Sequence, residues 1–246
     1  MKRIMLRVAY DGTNYVGWQK QPNGIAVEEV LNRALSELTG ENIEVIGASR
    51  TDSGVHAMGN VAVFDTESRI PGDKFSFAVN QRLPEDIVVQ ESSEVDSSFH
   101  PRYANCKKTY EYRIRNAAHP NPLTSRYSYF VHARLNTDAM RRAATFIVGE
   151  HDFASFCAQG AQVKTTVRTV YSLDIIEEDA DITIRIRGNG FLYNMVRIIA
   201  GTLVQVGLGA YEPEHVREIV ELCDRTCAGP TAPAHGLTLV KIEYED

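Results

Sequence analysis

The segment IEVIGASRTDSGVHAMGNVAVFDT, residues 43–66, decides how the first half of the chain is interpreted. Its two ends, 43–49 and 60–66, are rich in apolar and β-branched residues and predict strands. Between them lies a polar loop in which Asp52 follows Arg50 by two residues and precedes Gly54 by two. A turn aspartate usually caps nearby backbone groups, and glycine permits a tight turn. The segment therefore predicts a strand, a tight polar loop and a second strand.

The sequence on both sides of this segment predicts an α+β fold. In the first half, residues 1–104, hydrophobic periodicity gives the order βαββαβ, with strands at 3–9, 43–49, 60–66 and 87–95 and helices at 26–40 and 71–82. In the second half, residues 105–246, it gives the same order with one additional helix, from strands at 107–115, 167–178, 181–188 and 237–244 and helices at 136–149, 191–206 and 212–223. We therefore predict two ferredoxin-like halves, resembling RNA-recognition domains, with largely antiparallel sheets that flank a central active-site cleft.

Composition excludes some classes of protein. The 246 residues contain no run of about 18 apolar residues, and the first residues alternate like a strand rather than a signal peptide, so we expect a cytoplasmic protein. The formal net charge of −6 argues weakly against a polyanionic partner, although a groove can be locally basic on an acidic protein.

One arginine stands in an otherwise apolar predicted helix, GFLYNMVRIIAGTLVQVG, residues 190–207. A buried guanidinium without a partner costs several kcal/mol, so Arg197 needs a carboxylate. If it faces Asp52, it keeps that acid ionised and in position for catalysis. A purely structural pair with another acid is the alternative.

The strand KKTYEYRIR, residues 107–115, combines aromatic and basic side chains. A period of two places Lys108, Tyr110 and Tyr112 on one face, which suits base stacking beside phosphate contacts. Ordinary core tyrosines give the same pattern. The candidates for substrate binding are this strand and the basic side chains of loops: Tyr110, Arg50, His56, Arg102, Lys108 and Arg168.

Several catalytic signatures are missing from the sequence. HDFASFC, residues 151–157, lacks the nucleophile elbow of a serine hydrolase, and there is no P-loop, dinucleotide fingerprint or histidine pair at zinc-ligand spacing. We therefore expect chemistry carried by side chains alone, without cofactor or metal.

Five motifs occur in one order along the chain: SRTDSGVHAMGNVAVF (49–64), SSFHPRYANCKKTYEYRI (97–114), HDFASFC (151–157), GFLYNMVRIIAGTL (190–203) and AGPTAPAHGL (228–237). Together they resemble the tRNA pseudouridine synthase A family over nearly the whole chain. One departure is Tyr193, where that family commonly has a basic residue.

The resemblance implies a homodimer that converts uridine to pseudouridine at positions 38–40 of the tRNA anticodon stem-loop, without cofactor or metal. It implies that Asp52 is the nucleophile and that Arg197 is its partner. It also implies that Tyr110 stacks on the target base and that Arg50 helps to extrude it.

The sequence leaves the mechanism and two other functions open. Asp52 attacks the sugar carbon C1′, attacks the uracil ring or removes a ribose proton, and Tyr110 is a candidate for taking up the C5 proton. A non-catalytic RNA-binding module is the first alternative function. A glycoside hydrolase is the second, and it would pair Asp52 with another acid such as Asp65.

Overall fold

The computed structural model describes residues 1–160 and 163–245 and divides them into two compact units. The first unit comprises Met1–Asn105 together with the chain from Leu239 onward, and the second comprises Cys106–Thr238. Both contain helices and predominantly antiparallel strand pairs, which confirms the predicted α+β class.

The first unit contains a sheet with the strand order β4-β1-β3-β10. Its elements are β1 (Lys2–Tyr10), α1 (Val27–Thr39), β2 (Ile46–Gly47), β3 (His56–Thr66), α2 (Phe75–Val79), β4 (Ile87–Val95) and β10 (Leu237–Tyr244). Strand β1 pairs antiparallel with β3 and β4, while β3 also neighbours β2 and β10. The predicted α1 is confirmed, and it ends as expected at Gly40, whose φ of 73° is left-handed.

The strand predicted at 43–49 is much shorter than expected. Only β2 has strand geometry, because side chains of α1 take the backbone amides before it. Ile43 N donates to Ser36 Oγ (2.9 Å), and Val45 N donates to Asn32 Oδ1 (2.8 Å). These amides are therefore satisfied without a neighbouring strand.

The helix predicted at 71–82 is also shorter, since α2 covers only five residues. Asn80 ends it by bonding to the neighbouring strand instead of continuing the helix. Its side-chain amide donates to Val89 O (2.9 Å), and its Oδ1 accepts from Val89 N (2.8 Å). This paired contact connects the end of α2 to β4.

The second unit is built on the sheet order β5-β9-β8-β7. Its elements are β5 (Cys106–Asn116), β6 (Tyr129–Val131), α3 (Thr137–Ala144), β7 (Gly149–Asp152), β8 (Val167–Glu178), β9 (Asp181–Gly188), α4 (Met195–Gly207) and α5 (His215–Leu222). The short strands β6 and β7 are absent from the sequence prediction. Strand β6 pairs parallel with β5, whereas the other pairs in this unit are antiparallel.

Helix α4 is the most deeply buried helix of the second unit. Ile198, Ile199 and Leu203 have no solvent exposure. The sequence predicted Arg197 in the middle of this helix. The helix begins at Met195, however, so Arg197 lies in its first turn. Along the described chain, we find no helix with both the length and the apolarity needed to span a membrane.

Candidate active site

Hydrogen bonds hold the polar loop of residues 49–55 (the 49–55 loop) in the first unit. Thr51 O accepts from Trp18 N (3.1 Å), and Gly54 N donates to Tyr15 O (3.3 Å). Gly54 has a left-handed φ of 77°, as the tight turn requires. Asp52 lies half-buried between these two anchors. The backbone that carries Asp52 is therefore fixed on both sides.

Two glycines allow a neighbouring segment to approach the 49–55 loop closely. Gly17 has a φ of 106°, and an added Cβ there would collide with the Thr51 carbonyl. A Cβ at Gly12 would collide with the Val55 carbonyl. Both positions therefore require glycine for space, and Gly17 requires it for conformation as well.

His56, a predicted substrate-binding residue, is buried at the start of β3 with 4% of its surface exposed. Gly12 N donates to its Nδ1 (3.0 Å), and Asp11 Oδ1 lies 3.1 Å from the same nitrogen. The first contact needs an unprotonated Nδ1, whereas the second needs a protonated one. In either state the ring connects β3 to residues 11–12, which is a structural position; its role in substrate binding stays a prediction.

Of the predicted substrate-binding arginines, Arg50 belongs to the 49–55 loop, and Arg102 lies beside it. Arg102 Nε donates to Gly47 O (2.8 Å). Desolvation lowers the pKa of Arg102, and the nearby positive charge of Arg50 lowers it further. Arginine stays charged despite such shifts. The first unit therefore presents two cations at the loop that carries Asp52, because Arg50 belongs to the loop and Arg102 bonds to Gly47, two residues before it.

Gly47, whose carbonyl accepts from Arg102, packs against the indole ring of Trp18. An added Cβ at Gly47 would collide with that ring, which is fully buried. The main chain of Trp18 also donates to Thr51 O, as described above. Trp18 therefore supports the strand that precedes the loop through its ring and the loop itself through its backbone.

Asp65, the second acid of the hydrolase alternative, lies at the end of β3 away from the 49–55 loop. Arg3 binds both of its oxygens, through Nε (2.8 Å) and Nη2 (2.7 Å). These hydrogen bonds hold the pKa of Asp65 below its ordinary value. Asp65 is therefore an ionised structural partner of Arg3, and it offers no support for a hydrolase.

The tyrosines predicted on β5 lie in the second unit. Tyr110 is buried and packs edge-to-face with Phe191, with ring centroids 5.2 Å apart and an interplanar angle of 82°. Tyr112 is fully buried, and its hydroxyl donates to Pro233 O (2.9 Å). Lys108 precedes them on the same strand and is half-buried. Burial of both rings shows that these tyrosines also belong to the core, as the alternative interpretation of this strand expected.

The guanidinium of Arg197 is oriented by two neutral oxygens of its own unit. Its Nε donates to Ala232 O (2.8 Å), and its Nη1 donates to Asn194 Oδ1 (2.7 Å). Asn194 is one of three non-glycine residues with positive φ in the described ranges, at 59°. Because the first turn of a helix carries a partial positive charge, Arg197 adds to a locally positive region suited to an anion.

Both oxygens belong to residues that the sequence interpretation missed. Asn194 directly precedes α4, and an asparagine at that position suggests a helix cap. Its side chain makes no capping bond, however, and binds Arg197 instead. The Ala232 carbonyl belongs to the last of the five motifs, and no side-chain pattern could have revealed it.

The last motif packs directly on α4. Gly229 N donates to Thr202 Oγ1 (2.9 Å), and an added Cβ at Gly201 would collide with the Pro230 carbonyl. Ala232 N also donates to Arg197 O (3.1 Å). The motif is therefore a backbone segment that packs along the first two turns of α4.

Two further polar residues of the second unit, Arg168 and Ser155, bond to backbone carbonyls. Arg168 Nη1 donates to the carbonyls of Thr165 (3.0 Å) and Val167 (2.6 Å). Ser155 of the HDFASFC motif is fully buried and donates to Ile219 O (2.6 Å), so it offers no accessible nucleophile. No group of three or more His, Cys, Asp or Glu side chains within residues 1–160 and 163–245 could hold a metal ion.

Comparisons with known proteins point to one family. A family model described as tRNA pseudouridine synthase matches residues 7–104 and 143–245. A tRNA pseudouridine synthase A from Ruminiclostridium cellulolyticum is 51% identical over 245 residues, which cover 99% of this chain and 100% of that protein. A tRNA pseudouridine synthase A from Acetivibrio thermocellus is 49% identical over 244 residues, with 99% and 100% coverage. Among solved structures, a chain of a Cbf5-Nop10-Gar1 complex matches with a TM-score of 0.41 and 12% identity, covering 98% of this chain and 50% of that one.

Proposed function

Because this chain belongs to the tRNA pseudouridine synthase family, we propose that it converts uridine to pseudouridine in tRNA with Asp52 as the catalytic carboxylate. The reaction breaks the bond between N1 of uracil and C1′ of ribose, turns the base and forms a bond between C5 and C1′. C5 then loses its proton and N1 gains one, so that the product is an isomer of the substrate. A carboxylate next to the sugar and the base is the minimum equipment for these steps. Water has to be excluded so that hydroxide does not replace the detached base.

The anchored 49–55 loop is the observation that carries the role of Asp52. Catalytic groups act efficiently only when they are held close to their productive geometry. Backbone bonds on both sides of Asp52 provide this rigidity, and the arginines that adjoin the loop suit a phosphate-bearing substrate. Asp65 is unsuited to this role, since Arg3 occupies both of its oxygens.

The other site residues have roles matched to base extrusion. Turning a nucleotide out of a stem costs a few kcal/mol in lost stacking. We assign Arg50 to the extrusion of the target base and Tyr110 to stacking on it. We assign to Arg197 the role of keeping Asp52 ionised during the reaction. The fixed orientation of its guanidinium at the positive end of α4 supports this role.

Three finer features of the function are also proposed. The target is uridine at positions 38–40 of the anticodon stem-loop, the active protein is a homodimer, and it acts in the cytoplasm, where its tRNA substrate is available. The five motifs support the first two features. Transcripts in which cytidine replaces each of the three uridines in turn would test the target, and light scattering would test the dimer.

Asp52→Asn tests the catalytic role against the non-catalytic RNA-binding alternative. The amide cannot act as a nucleophile or base, so we expect retained tRNA binding and no pseudouridine. Pseudouridine is read as a reverse-transcription stop after carbodiimide treatment of an unmodified transcript.

Asp65→Asn is the matched control, since it removes an acid from the opposite end of β3. We expect this variant to retain turnover. Turnover near wild type in Asp52→Asn would remove Asp52 from the mechanism, and absence of pseudouridine with the wild-type protein would favour the RNA-binding module.

A further inference from the structure

An exposed aromatic ring adjoins the Arg50 and Arg102 pair in the first unit. Tyr103 is 82% exposed, and its ring stacks on His100 with centroids 4.2 Å apart and an interplanar angle of 23°. An exposed tyrosine of this kind gains little from folding, because most of its apolar surface remains in water. The stacked histidine nevertheless fixes the plane of the ring.

The turn that carries Tyr103 is held by its own hydrogen bonds. Tyr103 N and Ala104 N both donate to His100 O (3.1 Å each), and Arg102 N donates to His100 Nδ1 (3.2 Å). The ring therefore projects from an ordered turn, and binding a ligand on it would cost little conformational entropy.

The same turn connects the aromatic ring to the candidate active site. Arg102 leaves it and donates through Nε to Gly47 O, at the end of β2 that leads into the 49–55 loop. Arg50 is exposed on that loop, and its charge reaches Arg102. An exposed ring, two guanidiniums and the Asp52 loop thus form one continuous surface of the first unit.

We propose that Tyr103 is a stacking platform for an unpaired nucleobase of the RNA substrate, flanked by Arg102 and Arg50 as phosphate contacts of the same strand. Aromatic rings beside cations are the usual means of binding single-stranded RNA, and stacking tolerates any base because each has a π-face. The identity of the partner as RNA rests on the proposed function. In this proposal Tyr103 contributes to RNA binding and makes no contact with the reacting atoms of the target uridine.

The first test compares the affinity of Tyr103→Ala and wild type for an unmodified tRNA transcript. Losing one stacked base weakens binding roughly 5- to 150-fold. We expect Tyr103→Ala to raise Kd and KM by such a factor while kcat stays near wild type, because the contact is the same in the ground and transition states. Tyr103→Phe keeps the ring and should bind normally.

Competition with two oligomers tests for a base on the platform. Oligouridylate and a base-free phosphodiester oligomer of the same length compete with the labelled transcript. Wild type should prefer the oligomer that carries bases, and Tyr103→Ala should lose that preference. Equal competition by both oligomers with wild type overturns the proposal.

Salt dependence separates stacking from phosphate contacts. Each lost phosphate contact reduces the slope of log K against log salt by about 0.7 to 0.9. Arg102→Gln should lower the slope by this amount, whereas Tyr103→Ala should leave it unchanged. A changed slope in Tyr103→Ala would contradict a purely stacking role.

Phe77→Ala is the matched control for an exposed aromatic residue of the same unit. Phe77 lies on α2, is 70% exposed and has Lys74 Nζ 5.6 Å from its ring centroid. We expect no change in tRNA affinity. Unchanged affinity in Tyr103→Ala with normal circular dichroism, or an equal loss in Phe77→Ala, refutes the platform. These outcomes are read from binding, and they remain distinct from failure of Asp52→Asn to lose turnover.

Discussion

Replacing Asn194 tests whether the orientation of Arg197 matters for catalysis. Asn194 provides the acceptor for Arg197 Nη1 at 2.7 Å, from a left-handed backbone at φ 59°. Glycine adopts this conformation without strain and has no acceptor. Asn194→Gly therefore removes the hydrogen bond and keeps the backbone.

The expected magnitude follows from the kind of bond that is lost. A hydrogen bond to a charged group contributes about 1.5–3 kcal/mol. If Arg197 must be held in place throughout the reaction, Asn194→Gly lowers kcat by roughly 10- to 150-fold. Asn194→Ala loses the same bond and should also be about 1–2 kcal/mol less stable than Asn194→Gly, because alanine adopts the left-handed region less readily than glycine or asparagine.

The assay is tritium release from transcripts labelled at C5 of uridine, under single-turnover conditions, with urea unfolding measured in parallel. The two variants should show the same loss of turnover, and Asn194→Ala should unfold at lower urea. A folded Asn194→Gly protein with a rate within about twofold of wild type would refute the reasoning, because a merely structural bond changes stability without changing the rate.

Two further predictions concern the first unit. Gly17→Ala should lose most turnover and about 1–3 kcal/mol of stability, because the added Cβ displaces the 49–55 loop. Gly40→Ala, also at positive φ but with nothing within 4 Å of the added Cβ, is its control and should keep full turnover. Asp65→Asn should cost about 1 kcal/mol near neutral pH, since the pair with Arg3 is partly exposed and screened. Because Arg3 lowers the pKa of Asp65, this difference should be complete above the unfolded carboxyl pKa of about 4 and disappear as pH falls through the folded value, which urea titrations across pH would measure.

Sequence patterns predicted the elements whose hydrophobic period continues over several residues. The alternation in β1 and the helical spacing of α1, with Gly40 at its end, fix those elements locally. Strands β6 and β7 have three and four residues, too few for a period to appear. The prediction of a strand over 43–49 was too long, because Ser36 and Asn32 of α1 supply acceptors for the amides at its start.

The candidate site shows the same division between local and distant information. Asp52 and its turn can be predicted because Gly54 and the polar neighbours lie within a few residues. The burial of His56 against residues 11–12 could not be predicted, since these partners are far from it in the sequence. The sequence singles out Arg197 as the one charge in an apolar helix, but its position in the first turn depends on the left-handed Asn194, which the apolar pattern conceals.

Trp18 is the only tryptophan of the chain, and it lies under Gly47 with its backbone bonded to Thr51. Indole emission from this protein therefore originates at a single point, beside the segment that carries the proposed catalytic acid. Rearrangement of that segment as substrate arrives would change the emission of an unlabelled sample. The protein thus contains its own optical probe for stopped-flow measurements, one that needs neither dye nor added chromophore.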